Sequence, residues 1–184
     1  MTDSIYDVSS YKPTNGNNFF FDANIWLSIY GPIGAPHDWR AERYSKFLSK
    51  LQNQSCNIYT NSIIVSEYVN RFSRMEFEQQ RELLGFGPKD FKIFRKSTYF
   101  EAIASEIEVN IKKIVKIVRR CDHEVGNVDL IKLASDYKNG YYDFNDLMFV
   151  EICRDNNLIL VTHDGDFKDC GIEIVTANTY MLKK

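Results

Sequence analysis

The chain has 184 residues, 44% of them hydrophobic and 26% charged, with a formal net charge of −2 and a pI near 5.9. That is enough for one compact domain with a full core, and the composition excludes a disordered or collagen-like chain. No run approaches the roughly 18 apolar residues of a membrane span, and the slight acidity, taken alone, argues against a nucleic-acid partner.

Residues 1–17 are polar and lack the charged-then-apolar layout of a signal peptide, which predicts a loose leader or a tail laid over the surface. Phe19, Phe20 and Phe21 form a continuous apolar run ending at Asp22, as in a short strand buried on both faces. After the loop GPIGAPH a helix is predicted over 38–53. Trp39, Tyr44, Phe47, Leu48 and Leu51 share one of its faces, with Arg40, Arg43, Lys46 and Lys50 between them. CNIYT is a second strand, and NSIIVSEYVNRF opens a helix capped by Asn61 or Ser62. GFGP at 85–88 interrupts a helical middle, and KDFKIFRKS is a short piece. The clearest helix spans 99–120, where Phe100, Ile103, Ala104, Ile107, Ile111, Ile114, Val115 and Val118 step by three and four. Helices over about 128–137 and from Asp143 to Asp155 precede the strand NLILVT and a last strand, IEIVT.

Short apolar strands alternating with helices imply an α/β fold, a parallel sheet covered on both faces, with function at the carboxyl ends of the strands. The expected organisation is a leader over 1–17 and one domain over 18–184, carrying a helical insertion at about 74–125. Cys56, Cys121, Cys153 and Cys170 form no C-x-x-C pair and no zinc-finger spacing; three of them sit in apolar surroundings and read as small core residues, and a reducing, cytoplasmic compartment is expected.

Four distant segments bring acids to one sheet edge. Asp22 ends the first strand and Asp164 and Asp166 end a late one. Glu67 lies near the start of the helix after the second strand, and Asp146 in the first turn of the helix leading into the late strand. Unpaired carboxylates packed together repel, and a divalent cation removes the conflict; oxygen-only ligands favour Mg²⁺ or Mn²⁺, which can also supply a water nucleophile. Asp143, three residues before Asp146, has the layout of a capping box and is either the cap or a further ligand. Asp166, beside Gly165, is either a second ligand or a turn residue. Asn24, Thr162 and Asn145 are uncharged neighbours able to hold a carboxylate by hydrogen bonding. His163 alternates away from Thr162 and Asp164, and reads as an exposed or satisfied histidine.

FFFDANIWL with Asp22 and Asn24, SEYVNRF with Glu67, and DFNDLMFVEICRDNNLILVTHDGDF with Asp146, Thr162 and Asp164 together resemble a PIN domain, the nuclease fold of many bacterial toxins and of eukaryotic RNA-processing factors. The resemblance runs from about residue 18 to 176. It implies a three-layer α/β/α fold and Mg²⁺- or Mn²⁺-dependent hydrolysis of RNA, with Asp22, Asp146 and Asp164 on the metal and Glu67 helping to position water. The long separation of Glu67 from Asp146 departs from compact toxin-type members. A small antitoxin-like inhibitor protein and a homo-oligomer are possible partners, and no membrane is expected.

The net charge of −2 conceals six acids at this proposed site; the rest of the chain is net positive. Arg40, Arg43, Lys46, Lys112 and Lys116 are candidate contacts for nucleic acid, although each also fits the solvated face of an amphipathic helix. Tyr141 and Tyr142 either stack on bases or pack. Two other readings compete: an idle PIN-like module that binds RNA or protein, and an aspartyl-phosphate phosphotransfer enzyme. The latter wants a second Asp two residues after the first, where this chain has Asn24.

Overall fold

The computed structural model describes residues 4–32, 39–121, 129–140 and 142–183. Six parallel strands form one sheet: β1 (Ser4–Asp7), β2 (Asn18–Phe21), β3 (Asn57–Thr60), β4 (Arg119–Arg120), β5 (Ile159–Val161) and β6 (Glu173–Thr176). Their spatial order is β1-β6-β5-β2-β3-β4. The helices are α1 (Ala23–Tyr30), α2 (Trp39–Asn53), α3 (Ser62–Gln80), α4 (Phe91–Phe94), α5 (Tyr99–Val115), α6 (Leu130–Tyr137), α7 (Phe144–Asp155) and α8 (Thr179–Leu182). None is long and apolar enough to cross a membrane.

The phenylalanine run explains the layering. Successive strand residues face opposite sides. Phe19 accordingly meets Phe47 of α2, with ring centroids 5.7 Å apart, while Phe20 meets Phe149 of α7, also at 5.7 Å. Phe21 packs on Trp26 of α1 at 5.0 Å. All three phenylalanines are fully buried, as a strand covered by helices on both faces requires.

β2 is the central strand and the switch point of the topology. The chain leaves it for β3 on one side, and β5 later returns to pair on the other, with Phe21 opposite Val161. In open α/β sheets the crevice outside such a switch point is where ligands bind. The next residue on each strand is Asp22 and Thr162.

Two expectations are corrected. Residues 4–7, expected in a loose leader, are the edge strand β1 and pair with β6 from Ser4 opposite Glu173 to Asp7 opposite Thr176. Half-exposed and without an apolar run, this strand lacks the mark that betrays a buried one. The long helix stops at Val115 rather than 120, and Arg119 and Arg120 extend the sheet as β4 beside Tyr59 and Thr60. The region about 74–125 is therefore not purely a helical insertion. Two exposed arginines carry no apolar signal, but charge is a usual protection for a sheet edge.

Candidate active site

Asp22 occupies the N-cap position of α1, yet its side chain makes no capping bond. It turns instead toward β5. Its Oδ2 accepts from Thr162 Oγ1 at 2.7 Å and from Asn24 Nδ2. Asn24 Nδ2 also reaches Thr162 Oγ1 at 3.1 Å, and Asn24 Oδ1 accepts from the His163 backbone N–H at 3.1 Å. Thr162 Oγ1 in turn accepts from the Asp164 backbone N–H at 3.0 Å. One hydroxyl thus fixes both Asp22 and the backbone that carries Asp164, because strand register sets Thr162 beside Asp22.

This carboxylate is 4% exposed. Burial, with the negative charges of Glu67 and Asp164 adding to it, pushes its pKa up to about 6, against the opposing bond from Thr162. Asp146 on α7 rises to about 7, first through burial, then through the charges of Asp143, Asp164 and Asp22. Acids from four segments therefore feel one another across a single crevice.

Asp143 and Asp146 form the capping box. Asp143 Oδ1 accepts from Asp146 N–H at 2.8 Å, and Asp146 Oδ2 accepts from Asp143 N–H at 3.3 Å. Asp143 is thus the helix cap, while Asp146 serves both helix and crevice. Glu67 lies on α3 with Arg71 holding its Oε1 at 3.0 Å. Asp164 is exposed, and its Oδ1 accepts from Asp166 N–H at 3.1 Å, closing a one-turn 3-10 helix over 165–167. Asp166 is the exposed residue of that turn. Asn145 is exposed and bonds none of these acids among the described contacts.

The sequence model of the PIN domain family matches residues 19–173. The chain belongs to the PIN domain family. PIN domains are typically nucleases and commonly use divalent metals. Among solved structures, the crystal structure of PAE2754 from Pyrobaculum aerophilum is similar, with a TM-score of 0.50 and 13% identity over 90% of this chain and 93% of that one. At that identity the likeness is one of fold. No curated protein matches the chain.

The donor set of this PIN domain suits a hard cation. Asp22, Glu67, Asp146 and Asp164 offer oxygen only, and burial, with neighbouring negative charge adding to it, makes Asp22 and Asp146 costly to ionise without a counter-charge. Among the described residues no group of three or more His, Cys, Asp or Glu side chains is placed to hold a metal ion. The acids converge on the crevice without being wrapped around one point.

Residues that sequence reasoning passed over brace the same edge. Tyr44, read as a core residue, accepts from Ala177 N–H at 3.0 Å and lies 2.9 Å from His163 Nδ1. Burial pushes its hydroxyl up to about 12, so it stays protonated. Asn178 donates to the His163 carbonyl at 2.8 Å. His163 is satisfied by these contacts, its ring set edgewise against Trp39 and Tyr44. Only the packing of α2 on the sheet reveals this; on the sequence Tyr44 is one more apolar-face residue.

Beyond Trp39 a groove of about 490 Å³ follows α2, with Arg43, Lys46 and Lys50 among its lining. Arg43 lies over the Trp39 ring, 4.9 Å from its centroid. Arg40 is exposed in the first turn of α2. Lys46 is paired with Glu42 and Lys112 with Glu108, both at 2.5 Å on exposed helix faces. Lys116 is exposed at the end of α5. Tyr142 is half-buried and donates to the Lys168 carbonyl at 3.4 Å, a packing role; Tyr141 lies outside the described residues.

Proposed function

We propose that this PIN domain is an Mg²⁺- or Mn²⁺-dependent endoribonuclease. The observation that carries the reading is the Asp22–Thr162–Asp164 junction, where one buried threonine hydroxyl fixes two strand-end acids at the switch point of the sheet. Asp22, Asp146 and Asp164 would hold the cation, with Glu67 at its flank. When bound, it offsets charge on the scissile phosphate and lowers the barrier to attack by water. Thr162 and Asn24 orient the Asp22 carboxylate, so little reorganisation is needed as the phosphate charge develops. The capping box holds Asp146 at the mouth of the crevice. The basic groove along α2, with Trp39 at its head, supports a single-stranded RNA path, since aromatic rings and cations together suit unpaired nucleotides.

The aspartyl-phosphate alternative loses support at Asn24. That chemistry wants a second carboxyl at this position, and the amide there is already committed to Asp22, Thr162 and His163. The idle-module reading has against it the presence of all four core acids. A role as the toxin of a toxin–antitoxin pair, with a small protein covering the acids, is a finer reading that gene neighbourhood would test.

The deciding experiment incubates purified protein with single-stranded RNA under Mg²⁺, Mn²⁺ or a chelator. Cleavage that needs the cation and disappears in Asp164→Asn supports the reading. Cation-independent cleavage, or full activity in that variant, sinks it.

A further inference from the structure

We propose that the groove at the β3–β4 end of the sheet is a nucleobase pocket, seating one base of the RNA strand whose phosphate lies at the acids. This rests on the ribonuclease reading and adds to it a determinant of sequence preference.

The groove has a volume of about 490 Å³, within the roughly 300–1,000 Å³ of small-ligand sites. Its position follows from strand register. Phe20 pairs with Tyr59, so Asn61 stands across from Asp22 one residue beyond the paired strands, and Thr60 pairs in turn with Arg120. The groove therefore starts about one strand spacing, roughly 5 Å, from Asp22 on the same carboxyl edge.

Two buried polar atoms in its lining want a partner. Thr60 is 3% exposed and Asn61 4% exposed, yet Thr60 Oγ1 and Asn61 Nδ2 bond nothing among the described residues. Buried polar groups are nearly always bonded, so each exception asks for a reason. Asn61 is not free to turn its amide over. Its Oδ1 accepts from the Ile64 N–H at 2.9 Å as the cap of α3, which leaves Nδ2 as an obligate donor. The remaining unpartnered buried polar atom among the described residues is Trp26 Nε1. Trp26 lines a small cavity that shares Val65 and Val115 with the groove. Unmet hydrogen-bonding capacity is thus gathered in this one corner.

The lining matches a base in kind. Val65 and Val69 of α3 and Val115 and Val118 across from them give apolar walls for flat ring faces. Asn61 and Thr60 offer a donor and a hydroxyl to the ring edge, and Arg120 at the sheet edge suits the adjoining phosphate. An obligate donor favours a base presenting a carbonyl, as uracil, cytosine and guanine do. Adenine has no carbonyl and offers that donor only ring nitrogens.

The test titrates isotope-labelled full-length Asp164→Asn protein by NMR with UMP, CMP, GMP, AMP and ribose 5-phosphate. The Asn61 side-chain amide and the Val65 and Val69 methyls should shift with a carbonyl-bearing nucleotide, less with AMP, and not with ribose 5-phosphate. Ser66→Trp and Asn70→Trp, two exposed lip positions, should each abolish the shifts. In cleavage-competent protein they should raise KM for single-stranded RNA by about tenfold with kcat little changed, the mark of lost binding common to ground and transition states. Equal shifts with ribose 5-phosphate, no shift with any nucleotide, or an unchanged KM in both filled variants would overturn the pocket. Wild-type protein that cleaves no RNA would overturn the ribonuclease reading instead, and the titration would still decide the pocket.

Discussion

Two stretches of the same sheet edge differ in what they leave unfinished. At the β2–β5 junction the side-chain polar atoms of Asn24 and Thr162 are bonded to one another, to Asp22 or to the backbone N–H groups of His163 and Asp164, and what is unresolved is charge: acids crowded into a crevice. At the β3–β4 end charge is not the issue, and what is unresolved is hydrogen bonding, at Thr60 and Asn61. A surplus of negative charge calls for a cation, whereas a neutral donor without an acceptor calls for a polar organic group. One edge thus presents two kinds of demand side by side, and the proposed ribonuclease would use one to cut a phosphodiester and the other to read what is attached to it.

The comparison breaks most sharply at the acids. Asp164→Asn or Asp22→Asn should lower kcat/KM for RNA by more than about a hundredfold with the circular dichroism spectrum unchanged. Next is Thr162→Val, which keeps the shape but removes the hydroxyl shared by Asp22 and Asp164. Activity should fall by roughly 10- to 100-fold, the usual cost of losing a group that orients a ligand. A milder loss than in Asp166→Asn would contradict the role given to that hydroxyl.

The charge conflict can also be read without RNA. Folded, Asp22 keeps its proton to about pH 6, against an ordinary value of 3.8. Between those values the folded state binds a proton that the unfolded chain has released. In the absence of a divalent cation, stability should therefore fall as pH rises from about 4 through 6, and stay lower above. Asp22→Asn should remove Asp22's share of that fall, leaving the share of Asp146, and be more stable than the wild type at pH 7 by on the order of 3 kcal/mol, measured by urea unfolding at pH 4 and 7. On the proposed function, one substitution would thus cost cleavage and add stability. The smallest effects belong to the surface. Asp166→Asn, Asn145→Ala and Lys112→Ala should each change cleavage less than about threefold and stability by less than about 0.5 kcal/mol.

The buried strands and the acids that follow them were legible because burial on both faces writes a continuous apolar run, and a carboxylate directly after Phe21 or near Val161 breaks it abruptly. β1 and β4 were not legible, since edge strands need no such run; Arg119 and Arg120 fell inside the helix read over 99–120. The capping box was readable at Asp143 and Asp146 because its spacing is local. The Tyr44–His163 brace was not, because it joins residues more than a hundred positions apart and depends on how α2 lies over the sheet. Asn61 could be read as a cap, but the unused half of its amide becomes visible only when the neighbouring strand and helices close around it.

β1 pairs with β6, so residues 4–7 meet residues 173–176. The sheet is laced together by segments from nearly opposite ends of the sequence. On a ribosome, the first strand must wait for almost the last, and β5, which carries Thr162 toward Asp22, is made only shortly before. A chain interrupted anywhere upstream of Asp164 lacks that acid altogether. The acidic edge is therefore complete only once β5 and Asp164 have been made, and a product cut short of them would lack it.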